Sequence, residues 1–405
     1  MYVERLVCVN CGNEFSPDDV VYECRCGSLL DVVYDYEEIK DHLDIQKFRK
    51  TPPTVWKYAD FLPAPKKVSL GEGGTPLLPC KRLGEMLSAP SLYIKNEGQN
   101  PTGSFKDRGM TVGVSKALTL GFGMVACAST GNTSASLAAY AARAGMRCFV
   151  FLPAGKVAAG KLAQALIYGA EVIPIDANFD VCLSIVREVC REAGIYLLNS
   201  VNPFRLEGQK TIAFEIFDQL GRVPDTIVVP VGNGGNIFAI WKGFMELREV
   251  GLTDEVPRMI GVQAEGANPI VRTLVAGSRE LEVVERPETV ATAIRIGRPV
   301  NWMKTLRAIR ESGGTAISVS DDEILRAQEI LARVEGIFVE PASAASLAGL
   351  KKLVFEGEVE KDETVVCIAT GHGLKDPSVV TSRISLPEPV PPNMDEVFRR
   401  IRTRM

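Results

Sequence analysis

Thr226-Ile-Val-Val-Pro-Val231 runs directly into Gly232-Asn-Gly-Gly-Asn236, and a helical pattern follows to about 249. A short apolar run, a glycine turn and a helix make half of a parallel βαβ unit. Strands buried on both faces carry unbroken apolar residues rather than an alternation. The same sentence repeats outward in both directions. Candidate strands are 124–129, 147–153, 171–175, 196–200, 258–264, 315–319 and 363–369. Helical stretches 133–144, 157–169, 178–193, 206–220, 236–249 and 321–335 lie between them, and Ser320-Asp-Asp-Glu323 before the last is a capping box. This alternation predicts an α/β protein with open parallel sheets.

Composition narrows the chemistry. The chain has 405 residues, a net charge of −4 and only two histidines, His42 and His372. The charge balance gives no reason to expect nucleic acid or an anionic membrane as partner. Two histidines leave little for Ser-His-Asp catalysis or a histidine metal cluster. No apolar run is long enough for a membrane span, and the N-terminus lacks a signal-peptide pattern. Ten cysteines then read as reduced thiols in a cytoplasmic protein.

Four of those cysteines cluster. Cys8-Val-Asn-Cys11-Gly is followed, 12 residues on, by Cys24-Arg-Cys26-Gly. Two close thiolate pairs, each beside a turn-forming glycine, predict a structural tetrahedral zinc site in a small module over residues 1–40. The other six, Cys80, Cys127, Cys148, Cys182, Cys190 and Cys367, sit in apolar segments and read as core. The proline-rich segment 51–65 reads as an extended connecting arm. The end of the chain reads as a linker and a short helix over Asp395 to Arg402.

Open α/β sheets bind ligands beyond the carboxyl ends of their strands, so the strand-to-helix loops are where chemistry is expected. Gly232, Asn233, Gly234, Gly235 and Asn236 open a helix with exposed backbone N–H groups, suited to a monophosphate. No Gly-Lys-Ser/Thr follows and no Gly-x-Gly-x-x-Gly occurs, so neither a nucleotide P-loop nor a dinucleotide fingerprint is present. Ser129-Thr130-Gly-Asn132-Thr133 offers hydroxyls and an amide to a carboxylate. Asn199-Ser200-Val-Asn-Pro-Phe-Arg205 offers a second anion site, and Thr370-Gly-His-Gly-Leu-Lys-Asp376 places a hydroxyl at a strand end. Upstream, Asn100-Pro-Thr-Gly-Ser-Phe-Lys106-Asp-Arg-Gly109 is a turn delivering one lysine to a helix start, with Ser104 the expected N-cap. A lysine there lies at the positive end of the helix dipole, which favours its neutral, nucleophilic form. A neutral amine condenses with an aldehyde such as that of pyridoxal 5′-phosphate (PLP).

On these motifs, together with Gly71-Glu-Gly-Gly-Thr-Pro-Leu77 and Lys95 to Met110, residues 65–380 resemble the threonine synthases of the PLP-dependent fold-type-II superfamily. The cysteine module resembles a zinc-ribbon-like head found on some members. The resemblance implies two open parallel-sheet domains with the active site in the cleft between them. The large PLP-binding domain would take 41–116 and 201–385 and a small mobile domain 117–200, with 386–405 as a tail. Lys106 would bind PLP covalently and carry protons. Gly232 to Asn236 would hold the cofactor phosphate, Asn132 its phenolic oxygen, and Thr370 would face its ring nitrogen. Ser129, Thr130, Asn132 and Thr133 would bind the substrate carboxylate. Asn199, Ser200, Arg205 and Asn233 would bind the substrate phosphate. The implied reaction turns O-phospho-L-homoserine and water into L-threonine and phosphate, by γ-elimination and then addition of water at the β carbon. Two alternatives stand beside it: β-replacement on O-phosphoserine by sulfite, as in cysteate synthase, which would keep nearly every residue above, and dehydration of threonine or serine, which leaves the second anion site at Asn199 to Arg205 without a use. We expect a homodimer acting on a small phosphorylated amino acid.

Overall fold

The structure, a computed structural model, describes residues 2–43, 51–129, 131–154, 159–177, 179–383 and 388–402. An antiparallel sheet of order β2-β1-β3 forms the head, from β1 (Val3–Cys8), β2 (Glu14–Phe15) and β3 (Leu30–Tyr34). Next come β4 (Leu77–Pro79) and β5 (Leu92–Asn96). After them β6 (Met124–Ala128), β7 (Arg147–Pro153), β8 (Glu171–Ile175) and β9 (Tyr196–Leu197) form a fully parallel sheet of order β8-β7-β6-β9. The chain then returns through β10 (Thr226–Pro230), β11 (Arg258–Ala264), β12 (Thr315–Val319) and β13 (Val365–Ala369). These complete a six-stranded sheet of order β12-β11-β10-β13-β5-β4, parallel except for the edge strand β4.

The predicted α/β class holds, and β10 is buried along its whole length, as its unbroken apolar run requires. Strands 147–153, 171–175, 258–264 and 315–319 fall where the pattern put them, and the capping box at Ser320 and Glu323 is formed. All six scattered cysteines are buried.

Three expectations need correction. Residues 51–65 are not an extended arm: Val55–Phe61 coils into a 3-10 turn and buries Val55, Trp56, Tyr58 and Phe61. The indole of Trp56 donates to Thr111 Oγ1 at 2.8 Å, so this segment is core, and burying its aromatics outweighs the proline signal. Ser104 does not cap the lysine-bearing helix, which spans Lys106–Thr119 with Phe105 at the cap position. Phe105 N–H donates instead to Thr370 O (3.0 Å) and Ser104 pairs with Gly371, and the buried serine hydroxyl has no partner among the described residues. The carboxylate of Asp107 secures that turn by accepting from Thr102 N–H (2.7 Å), Thr102 Oγ1 (2.6 Å) and Ser136 Oγ (2.5 Å). Third, the predicted helix 206–220 is two helices, Phe204–Gln209 and Thr211–Leu220.

The head is clipped to both sheets' units. Lys242 donates to Val32 O (2.6 Å) and Asp31 (3.0 Å), and Lys304 donates to Leu30 O (2.7 Å). Across the molecule, Leu197 N–H donates to Tyr22 Oη (2.9 Å) and Arg187 pairs with Glu23 (2.8 Å). Among the described residues no helix is long and apolar enough to cross a membrane.

Candidate active site

The loops that follow β5, β10 and β13 in one sheet and β6 and β9 in the other line a single cleft of about 720 Å³. This is where the switch-point rule for open parallel sheets places a ligand, since β10 has its parallel neighbours β11 and β13 on opposite sides and the strand order departs from it in both directions. The cleft brings together Lys106, Ser129, Asn132, Thr133, Asn199, Ser200, Arg205, Gly232, Asn233, Gly234, Gly235, Asn236 and Thr370. Thr130, the one remaining predicted residue of the cleft, lies outside the described residues.

Lys106 is the first residue of its helix and its Nζ lies 4.1 Å from the centre of the Phe105 ring. Its side chain as a whole borders the cleft and is half-buried, but the amine end is enclosed by protein. Burial lowers its pKa to about 7; the Arg205 charge pushes the same way, and the Glu340 carboxylate opposes both. A large share of Lys106 is therefore the neutral, nucleophilic amine at neutral pH. The dipole argument made from sequence put the lysine in the right place, but burial and a neighbouring cation carry the effect.

The glycine loop has the shape of an anion cradle. Gly234 has φ +83°, and a Cβ there would fall 1.9 Å from Thr305 Oγ1, so only glycine fits. Its neighbour Gly235 starts the helix Gly235–Glu249, which aims its free N–H groups into the cleft. Both polar atoms of the buried Asn236 side chain lack a partner among the described residues, as does Nε of the buried Arg205. Orphaned donors this deep mark a place built for a polar ligand. Burial lowers Arg205 to a pKa of about 10, so it stays a cation at neutral pH.

The remaining residues divide. Thr370 is buried with its hydroxyl 2.9 Å from Ser343 Oγ, and Ser343 accepts from Gly371 N–H (2.7 Å). Asn199 lines the cleft and also ties the end of β9 to the end of β6, its amide accepting from Ala128 N–H (2.8 Å) and donating to Ala128 O (3.0 Å). Asn233 anchors the 300–301 turn, its O accepting from Asn301 N–H at 3.1 Å. His372 shapes its loop by accepting from Leu374 N–H at 3.1 Å.

Sequence reasoning missed Glu340 and Ser343, and gave no task to Lys375. Glu340 stands just before Pro341, where an acidic residue reads as helix capping. Lys375 donates to Thr102 O (3.0 Å) and to Gln164 of the neighbouring unit.

In the head, the Sγ atoms of Cys8, Cys11, Cys24 and Cys26 lie within 4.8 Å of one another, with Cys8–Cys26 at 3.4 Å and Cys11–Cys24 at 3.5 Å. A tetrahedron with Zn–S bonds of about 2.3 Å has S···S edges of roughly 3.8 Å, so the spacing suits that ion.

A family model described as pyridoxal-phosphate dependent enzyme matches residues 68–371, and the chain belongs to that family. The fold agrees: the structure of maize serine racemase superposes with a TM-score of 0.64 at 22% identity, covering 76% of this chain and 91% of that one. Among curated proteins, the threonine synthase of Methanosarcina acetivorans is 60% identical over 400 residues, 98% of each chain. That of Methanocaldococcus jannaschii is 57% identical over 398 residues, 97% of this chain and 98% of its own.

Proposed function

We propose that the protein is a PLP-dependent threonine synthase, converting O-phospho-L-homoserine and water to L-threonine and phosphate. The observation that carries this reading is one cleft holding an aldehyde-reactive lysine, a glycine phosphate cradle and a separate buried arginine. It occurs in a chain 60% identical, end to end, to a threonine synthase. A dehydratase acting on threonine or serine has no use for a second anion site.

When bound, PLP supplies an electron sink that acidifies the Cα and Cβ positions of an amino acid joined to it. The residues lining the cleft suit the group: Gly232, Asn233, Gly234, Gly235 and Asn236 would meet its phosphate, Lys106 its aldehyde carbon, Asn132 its phenolic oxygen and Thr370 its ring nitrogen. Lys106 Nζ, with a pKa of about 7, accepts a proton from carbon and returns it at the same pH. Ser129 and Thr133, beside the start of the helix Asn132–Ala144, hold the substrate carboxylate, and the same role is proposed for Thr130 from the sequence motif alone. Arg205 and the Ser200 and Asn233 loops hold the departing phosphate, and a buried guanidinium stabilises the charge that grows on it. The unit built on β6–β9, residues 117–200, closes on the unit built on residues 41–116 and 201–385, excluding water until the addition step.

The head holds one structural zinc on Cys8, Cys11, Cys24 and Cys26. Metal analysis should then give about one zinc per wild-type chain and none in Cys8→Ser; equal content would remove the site. A cytoplasmic homodimer is the state we expect. The substrate is tested by supplying O-phosphohomoserine alone, or O-phosphoserine with sulfite, and identifying the amino acid formed. Threonine with released phosphate supports the reading. Cysteate, or no product from phosphohomoserine, contradicts it.

A further inference from the structure

Glu340 has a conformation its position in the fold does not explain. It precedes the helix Pro341–Glu356, with N-cap backbone angles, yet its side chain accepts no N–H from that helix. The carboxylate turns instead into the cleft and accepts from Asn132 Nδ2 with both oxygens at 3.1 Å. Asn132 opens the helix after β6, so this contact joins the two units across the cleft. Room for it is made by Gly371, where a Cβ would fall 2.6 Å from Glu340 Oε1. The backbone is locked as well, because Glu340 N–H donates to Gly371 O at 3.0 Å. A buried carboxylate given up by its own helix and seated against one amide calls for a functional account.

That account follows from the asymmetry of an amide. One end of the Asn132 side chain donates and the other accepts, and a carboxylate can only accept. Glu340 therefore selects the orientation in which the nitrogen points inward. The nitrogen carries two N–H groups, and one suffices for a carboxylate lying astride it, so the second is free to serve a ligand.

We propose that Glu340 is a positioning residue that fixes the Asn132 amide nitrogen-inward and so presents an N–H to the phenolic oxygen of the cofactor. The proposal rests on the cofactor reading above, in which Asn132 meets that oxygen. The charged groups facing Glu340 are Lys106, Lys375 and Asp376. Burial raises the Glu340 pKa, while Asn132 and the two lysines pull it back down. Glu340 also opposes the fall in the Lys106 pKa, so its loss makes the lysine a weaker base.

The test is a double-mutant cycle on PLP binding, with full-length Glu340→Gln, Asn132→Ala and the double variant. PLP affinity is measured by fluorescence titration of the metal-replete apoprotein, and folding is checked by thermal melting. One lost hydrogen bond is worth about 1 kcal/mol, so each single variant should bind roughly fivefold to tenfold more weakly. Because Glu340 acts through Asn132, the double variant should be no worse than Asn132→Ala. The pH midpoint of the visible cofactor band should shift in Glu340→Gln, and by less when the mutation is added to Asn132→Ala, where only the direct charge effect of Glu340 on Lys106 is left to lose. Losses that multiply to about twenty-fivefold or more, or a band unchanged in Glu340→Gln, overturn the proposal. Failure of the underlying reading looks different: Lys106→Ala would then bind PLP and absorb in the visible as wild type does.

Discussion

Lys106 and Arg108 stand two residues apart in the first turn of one helix, and the fold treats them in opposite ways. Arg108 faces the interior and is saturated. It donates to Glu97 (2.6 and 2.8 Å), to Glu215 (both contacts 2.7 Å) and to the hydroxyls of Thr211 and Thr75 (each 3.0 Å). Lys95 completes this knot through Glu215 at 2.7 Å. Burial alone would lower the pKa of Arg108, but the two carboxylates overwhelm it and drive the value well above the ordinary one. Lys106 faces the cleft with another cation nearby and a single carboxylate opposing, and its pKa falls to about 7. Both residues are cations by type. The difference teaches that reactivity comes from partners withheld, and rigidity from partners supplied.

The comparison is open to several tests, taken from the largest effect to the smallest. Lys106→Ala should abolish the visible absorption of the cofactor-loaded protein and reduce activity by at least about a thousandfold. A variant keeping a tenth of wild-type turnover would mean the reactive amine is elsewhere. Arg108→Met leaves Glu97 and Glu215 buried with one cation fewer, and should destabilise the fold by about 3–5 kcal/mol in urea unfolding. A loss under about 1 kcal/mol would show that the knot is dispensable. Arg205→Gln removes the cation that helps depress Lys106. The amine should then recover part of the way toward its ordinary pKa, burial holding it below that value. Since only the neutral amine captures an aldehyde, the rate of PLP capture by apoprotein rises with pH through that midpoint. The rise should therefore move to higher pH in Arg205→Gln, and to lower pH in Glu340→Gln. Shifts of the same sign in both would refute the electrostatic account.

The cleft was legible in the sequence for a physical reason. Loops that bind anions need glycines, hydroxyls and amides in short runs, and such runs at strand ends have no cheaper explanation in combination. Thus 129–134, 232–236 and 370–376 could be found without knowing how they met. The interior was less legible. Strand β5 went unread because Lys95 interrupts its apolar run, and a lysine in a central strand becomes tolerable only beside Glu215, which is 120 positions away. Glu340 was invisible for a similar reason: its partner Asn132 lies 208 residues off, and local sequence offers only the capping explanation. The segment 51–65 misled because prolines advertise an exposed linker, while its aromatic residues find a core that no local pattern announces.

The central claim is that one amine, Lys106, is the aldehyde-reactive group of this cleft. Reducing the PLP-loaded protein with borohydride and mapping the labelled peptides tests it most directly. A pyridoxyl group on Lys106 alone is the predicted result. A label on Lys95, Lys375 or any other lysine, with Lys106 unmodified, would contradict the account.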